Sequence, residues 1–183
     1  MYRATTEDVA KTLCSHGLRA LAYHGGMTHE ERTANLETFL REDGVVMVAT
    51  IAFGMGIDKP DVRFVAHLDM PKSIENYFQE TGRAGRDGKP ADAWMAYGLI
   101  DAVNQRRLME MGGGDEMYAR LTRTKLEAML ALAETAGCRR QMILRYFGEE
   151  SGPCGNCDNC LEPPKMQEVT EDAKRCLLYT SPS

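Results

Sequence analysis

Three cysteines fall within seven residues in the run Cys154-Gly-Asn-Cys157-Asp-Asn-Cys160, and Cys138 lies 16 positions before the first of them. The intervening Gly155, Asn156, Asp158 and Asn159 tolerate the tight and left-handed turns that a metal knuckle needs. Three sulfurs leave a tetrahedral ion one ligand short. Cys138 opens a short predicted helix whose far end leads back to the knuckle, so it can supply the fourth. Four thiolates at ~2.3 Å describe a closed, structural zinc site with no open position for catalysis. An iron–sulfur cluster uses the same donors, and disulfides or free thiols are the non-metal alternative. Cys14 and Cys176 stand alone and read as small core residues.

The second constellation is residues 79–88, Gln-Glu-Thr-Gly-Arg-Ala-Gly-Arg-Asp-Gly. Arg83 and Arg86 are three apart, and on a helical turn they project the same way. Gly82, Ala84 and Gly85 remove bulk beside them and admit a close partner surface. Two guanidiniums among small residues suit a polyphosphate. The alternative is a solvated or salt-bridged arginine pair.

These groups must be positioned by the elements around them. The first 100 residues alternate helix and strand signals. Thr5 or Thr6 caps a helix through Val9, Ala10 and Leu13, and Thr28 with Glu31 forms a capping box for a helix carrying Leu36, Phe39 and Leu40. Strand candidates are 20–23, 45–49, 64–68 and 93–97. The apolar, β-branched run at 45–49 fits a strand of a parallel sheet. Ile74, Tyr77 and Phe78 mark one face of a helix, and Phe53, Tyr77 and Phe78 read as packing residues. From about residue 101 strand signals cease. Leu108 and Met111 fit one helix, broken at 112–114. Met117, Leu121, Leu126, Met129, Leu130 and Ala133 fit a second, and Met142, Ile143, Tyr146 and Phe147 a third. The expected fold is α/β: a parallel-sheet domain followed by a small helical four-cysteine module.

The chain has 183 residues, is 43% hydrophobic and carries a formal charge of -5, so any nucleic-acid surface must be a local basic patch. Arg139, Arg140 and Arg145, with Arg120, Arg123 and Lys125, are the candidates for one; a solvated helix face is the alternative. No secretory signal and no membrane-spanning run stands out, which makes a cytoplasmic protein with reduced thiols the expectation.

The motifs together resemble the RecQ helicases. Residues 48–65, Val-Ala-Thr-Ile-Ala-Phe-Gly-Met-Gly-Ile-Asp-Lys-Pro-Asp-Val-Arg-Phe-Val, resemble their motif V. Residues 79–88 resemble motif VI, and 22–26, Ala-Tyr-His-Gly-Gly, the motif IV segment. Cys138-Arg139-Arg140, Tyr146-Phe147-Gly148-Glu149 and the knuckle resemble the family's zinc module. The resemblance implies a second RecA-like motor domain over 1–100, a helical zinc-binding subdomain over 101–164, and a linker with the start of a winged helix over 165–183. It implies ATP-driven 3′-to-5′ unwinding at a single-strand/duplex DNA junction in repair and recombination, with nucleoid association in a bacterium. ATP and Mg²⁺ would bind only together with a first RecA-like domain.

By the same resemblance Arg86 is an arginine finger and Arg83 its neighbouring phosphate or coupling contact. Gly56 and Asp58 lie at the nucleotide edge of the cleft. Gln79 either joins them in linking the nucleotide and DNA sites or orients its neighbours, and the same choice stands for His24. Thr50 is placed for a DNA phosphate, and Arg139 and Arg140 for the basic patch. A P-loop is absent: at Gly88-Lys89 a proline, Pro90, stands where a hydroxyl is required, and Arg83 where the first glycine should be. The chain alone is therefore expected to hydrolyse no ATP. Met1 reads as an accidental or truncated start, 2–4 as the remnant of a strand, and 177–183 as foreign to the family. The alternatives are a stand-alone zinc module that binds DNA or a partner, and half of a related RNA helicase or chromatin remodeller. The four cysteines argue against the latter.

Overall fold

A computed structural model describes residues 3–50, 58–98, 100, 103, 116–166, 170 and 174. Its contacts separate into two units, 1–126 and 127–183. In the first, α1 (Arg3–Ser15), β1 (Arg19–Tyr23), α2 (His29–Arg41) and β2 (Val45–Ala49) are followed by β3 (Phe64–His67), α3 (Ile74–Thr81) and β4 (Asp92–Met95). Helix α4 (Glu116–Glu134) crosses the boundary, and α5 (Arg139–Tyr146) and α6 (Asp158–Leu161) lie in the second unit.

Among the described residues the strands form two parallel pairs. In β1–β2, Arg19 faces Val45 and Tyr23 faces Ala49; in β3–β4, Phe64 faces Asp92 and His67 faces Met95. Parallel pairing needs a crossover, and α2 supplies the one between β1 and β2. Ala10 of α1, Ala20 of β1 and Val48 of β2 are buried together, with Val9, Leu13, Ala22 and Val46 packed around them. The small alanines let the helix approach the strands closely. The capping box that starts α2 is present: the Glu31 N–H donates to the Thr28 hydroxyl, and the Thr28 N–H to the Glu31 carboxylate at 2.9 Å. Helix α3 starts at Ser73, whose hydroxyl accepts from the Asn76 N–H, and Ile74 is 1% exposed.

Several expectations are corrected. Helix α1 begins at Arg3, so residues 3 and 4 are helical and not the end of a strand. Thr6 lies inside the helix and is wholly buried, which favours a packing role over a cap. Cys14 is exposed, although it lies one turn beyond the buried Ala10, and its thiol donates to the Ala20 carbonyl at 3.4 Å. Phe78 is half exposed, and in α4 Met117 and Leu121 are exposed while Leu126, Met129, Leu130 and Leu132 are buried. Phe53, Leu108, Met111, the glycines at 112–114, Cys176 and the tail at 177–183 lie outside the described residues.

Candidate functional site

The four cysteines converge. Cys138 is the N-cap of α5 and Cys157 the N-cap of α6, so two helix starts present sulfur to one point. The Sγ atoms of Cys138, Cys154, Cys157 and Cys160 all lie within 4.8 Å of one another, and the Cys138–Cys157 and Cys154–Cys160 pairs are 4.0 Å apart. A tetrahedron of sulfurs around zinc has edges of about 3.8 Å, so the donor set fits such an ion with minor adjustment. Backbone N–H groups from Gln141 and Cys154 reach the Cys138 sulfur at 3.4 and 3.2 Å, and those of Asn156 and Cys157 reach the Cys154 sulfur at 3.4 and 3.3 Å. These donors favour thiolate over thiol.

The thiols titrate unequally. Burial pushes the Cys138 thiol up, but the N–H groups of Gln141 and Cys154 outweigh it and bring it down to about 6. Burial is likewise outweighed at Cys157, chiefly by the Arg139 backbone, and its thiol is lowered. At Cys160 the Gly155 N–H lowers the thiol, but its sulfur neighbours Cys157, Cys138 and Cys154, together with burial, raise it to about 11. Like charges cannot accumulate in so small a space without a cation.

The knuckle's backbone is simpler than expected. Only Gly155 takes a left-handed conformation there, with φ at 69°, and Asp158 and Asn159 are helical in α6. Their side chains build the scaffold instead. Asp158 accepts from Arg139 Nε at 2.7 and 2.9 Å, and Arg139 Nη1 donates to the carbonyls of Leu132 and Ala133 at 2.7 and 3.2 Å. Asn159 Nδ2 donates to the carbonyls of Thr135 and Gly137 at 2.6 and 2.8 Å. The open carbonyls at the end of α4 are thus capped by the knuckle and by Arg139. Arg139 is committed to this staple, whereas Arg140 and Arg145 are exposed.

The arginine segment is not a helical turn. Helix α3 stops at Thr81, and Gly85 has φ of 69°. A Cβ on Gly85 would come within 3.0 Å of the Lys89 carbonyl oxygen, so this glycine serves the loop's own path. Two antiparallel rungs bind the loop to the segment before β3: the Gly85 N–H donates to Val62 O at 3.0 Å and the Asp87 N–H to Pro60 O at 3.1 Å. Between the rungs, Arg86 Nη1 donates to Asp58 Oδ1 at 2.7 Å and its Nε to Gly82 O at 3.3 Å. The two side chains are 40% and 80% exposed. The structure therefore joins two of the residues singled out from sequence across 28 positions of chain.

The remaining candidates are scattered. Gln79 is exposed. Thr50 closes β2, its N–H donating to Tyr23 O at 3.2 Å. His24 is 3% exposed; its Nε2 meets Glu7 at 3.1 Å and its Nδ1 accepts from the Gly26 N–H at 3.1 Å. Both ring nitrogens are thereby used to orient the turn after β1. Gly56 lies outside the described residues. Sequence reasoning passed over the side-chain pairs that fix the loop. Lys59, its side chain 11% exposed, pairs with Asp61 at 3.2 Å; Arg63 pairs with Asp87 at 2.6 Å and His67 with Glu80 at 2.6 Å. The only signal was alternation of sign, which many solvated loops share.

Residues 99–161 match the RecQ zinc-binding family, and residues 1–88 match the helicase conserved C-terminal domain. The chain is 46% identical to an ATP-dependent DNA helicase RecQ of Haemophilus influenzae and 43% identical to that of Pasteurella multocida. Each match takes in 96% of this chain and 28% of the relative, so the chain spans about a quarter of their length. Among solved structures it resembles the Escherichia coli DEAD-box protein SrmB, crystallised with the regulator of ribonuclease activity A. The identity is 26%, the TM-score 0.50, and the match covers 60% of this chain and 65% of that one. With nearly all of its length aligned to RecQ proteins, and with both domains in the order found there, the chain belongs to the RecQ helicase family.

Proposed function

We propose that this chain is the second RecA-like motor domain and zinc-binding subdomain of a RecQ-type 3′-to-5′ DNA helicase, over residues 1–100 and 101–164, with a linker and the start of a winged helix at 165–183. Arg86 is its arginine finger. Opposite a first motor domain holding ATP and Mg²⁺, the guanidinium stabilises charge that develops on the transferred phosphoryl group. Arg83 is the neighbouring phosphate contact, and Asp58, Gly56 and Gln79 line the nucleotide edge. The observation that carries this reading is the exposed Arg86–Asp58 pair. An ion pair so open to water contributes little stability and is readily exchanged for a phosphate.

Zinc at Cys138, Cys154, Cys157 and Cys160 closes the second unit and has a structural role. Thr50 and Arg140 contact DNA phosphates near the single-strand/duplex junction, fixing register without reading sequence. His24 and Arg139 act one step back, by orienting the turn after β1 and the zinc knuckle. The protein works in the cytoplasm, on the nucleoid in a bacterium, and the chain alone hydrolyses no ATP. The test joins this chain to the nucleotide-binding remainder of the Haemophilus influenzae relative and measures DNA-stimulated ATP hydrolysis. Arg86→Ala should lower kcat by on the order of 10³-fold or more. Full activity in that variant would remove the finger assignment.

A further inference from the structure

Strand β3 is flanked at each end by a polar side chain that reaches into the arginine segment. At its far end His67 Nε2 meets Glu80 Oε2 at 2.6 Å, which fixes the last turn of α3 just before Arg83. At its near end Arg63 ties its own segment to the 87–90 loop. Its Nε donates to Asp61 O at 2.8 Å, its Nη1 to Pro90 O at 3.0 Å and its Nη2 to Asp87 Oδ1 at 2.6 Å. The Arg63 carbonyl accepts the Asp92 N–H at 2.9 Å, so the base of this side chain is tied to the start of β4.

We infer that Arg63 is a positioning residue for Arg86: by holding Asp87, the next residue in the chain, it sets where the Arg86 guanidinium leaves the loop. Asp87 has few other places to go. Its carboxylate also accepts the Lys89 N–H at 3.2 Å, and its own N–H forms the rung to Pro60. The neighbouring Arg63 guanidinium holds the Asp87 carboxyl below the usual carboxylate range. Residue 86 sits between the Gly85 and Asp87 rungs, so its backbone cannot shift while both remain. Three divergent donors in one plane are a property of guanidinium, and a lysine ammonium cannot reproduce them. The pair is partly open to water, with side chains 41% and 20% exposed, so its contribution to overall stability is small. Its consequence is geometric, and a misplacement of about 1 Å at a reacting centre can cost on the order of 10²-fold in rate.

This inference rests on Arg86 being the finger, and the experiment separates the two. In the same joined polypeptide, kcat and KM for DNA-stimulated ATP hydrolysis and the thermal melt are compared for Arg63→Ala, Arg63→Lys, Asp87→Ala and Arg86→Ala. Arg63→Ala and Asp87→Ala should each lower kcat by about 30- to 100-fold. KM should change by less than about threefold and the melt should barely move. Arg63→Lys should not restore kcat, because one ammonium cannot serve Asp87 and the Asp61 and Pro90 carbonyls together. If Arg63→Ala and Asp87→Ala keep kcat within about twofold while Arg86→Ala loses it, the positioning role is wrong and the finger stands. Arg63→Lys with kcat within about twofold of the parent would also overturn it, as would losses of kcat matched by a large fall in the melt, which would reduce Arg63 to a structural residue. Full kcat in Arg86→Ala would remove the finger and this inference with it.

Discussion

The sulfur of Cys157 has no packing role that another small residue could not fill; its value lies in the ion it helps to hold. Cys157→Ala should lower bound zinc and unfold the second unit, because in so small a module metal binding supplies much of the folding free energy. Metal analysis and circular dichroism of the variant check this, and unchanged zinc content with an unchanged melt would contradict it. Cys14→Ala is the matched control: that residue is remote in sequence from the cluster, and its loss should leave bound zinc unchanged and cost about 1 kcal/mol at most, for the thiol's bond to the Ala20 carbonyl. The cysteine centre was legible from spacing, since four thiols at 138, 154, 157 and 160 match the ligand count and short loops of a structural metal site. Arg139 was legible as a basic residue only. Its bonds to Asp158 and to the end of α4 depend on where two helices stop, and composition is silent on that.

At the scale of elements, the strands at β1 to β4 followed from their apolar runs, each within a few residues of the expected bounds. The arginine loop did not follow from its pattern. A spacing of three suggested a helical turn, but Gly85 at positive φ and the rungs to Val62 and Pro60 override it. Gly85→Ala should therefore destabilise the first unit by roughly 1–3 kcal/mol, the usual cost of a side chain in the left-handed region, measured by denaturant unfolding. The loop's ion pairs also predict a pH response. Lys59 beside Asp61 and Arg63 beside Asp87 hold both carboxyls below their ordinary range. A carboxyl whose folded pKa lies below its unfolded value of about 3.9 contributes stability above that value and loses it as pH falls through the folded pKa. Stability of the first unit should thus be insensitive to these groups from neutral pH down to about 5 and fall below about 4. Asp61→Asn with Asp87→Asn should flatten that acid limb, as followed by chemical denaturation at a series of pH values.

For the whole molecule, family membership and the meaning of Arg86 stand on different footings. Membership rests on matches across 1–88 and 99–161. The role of Arg86 rests on an exposed guanidinium, held between two backbone rungs and paired with Asp58. No P-loop sequence occurs in the chain, so an account that makes this arginine catalytic requires phosphates supplied from another domain. The most direct measurement is single-turnover ATP hydrolysis with DNA present. It compares this chain alone, the nucleotide-binding remainder of a RecQ relative alone, the two joined, and the two joined with Arg86→Ala. The account predicts hydrolysis only in the joined protein and its loss, by on the order of 10³-fold, in the Arg86→Ala form. Hydrolysis by this chain alone, or a joined protein indifferent to Arg86, would contradict it.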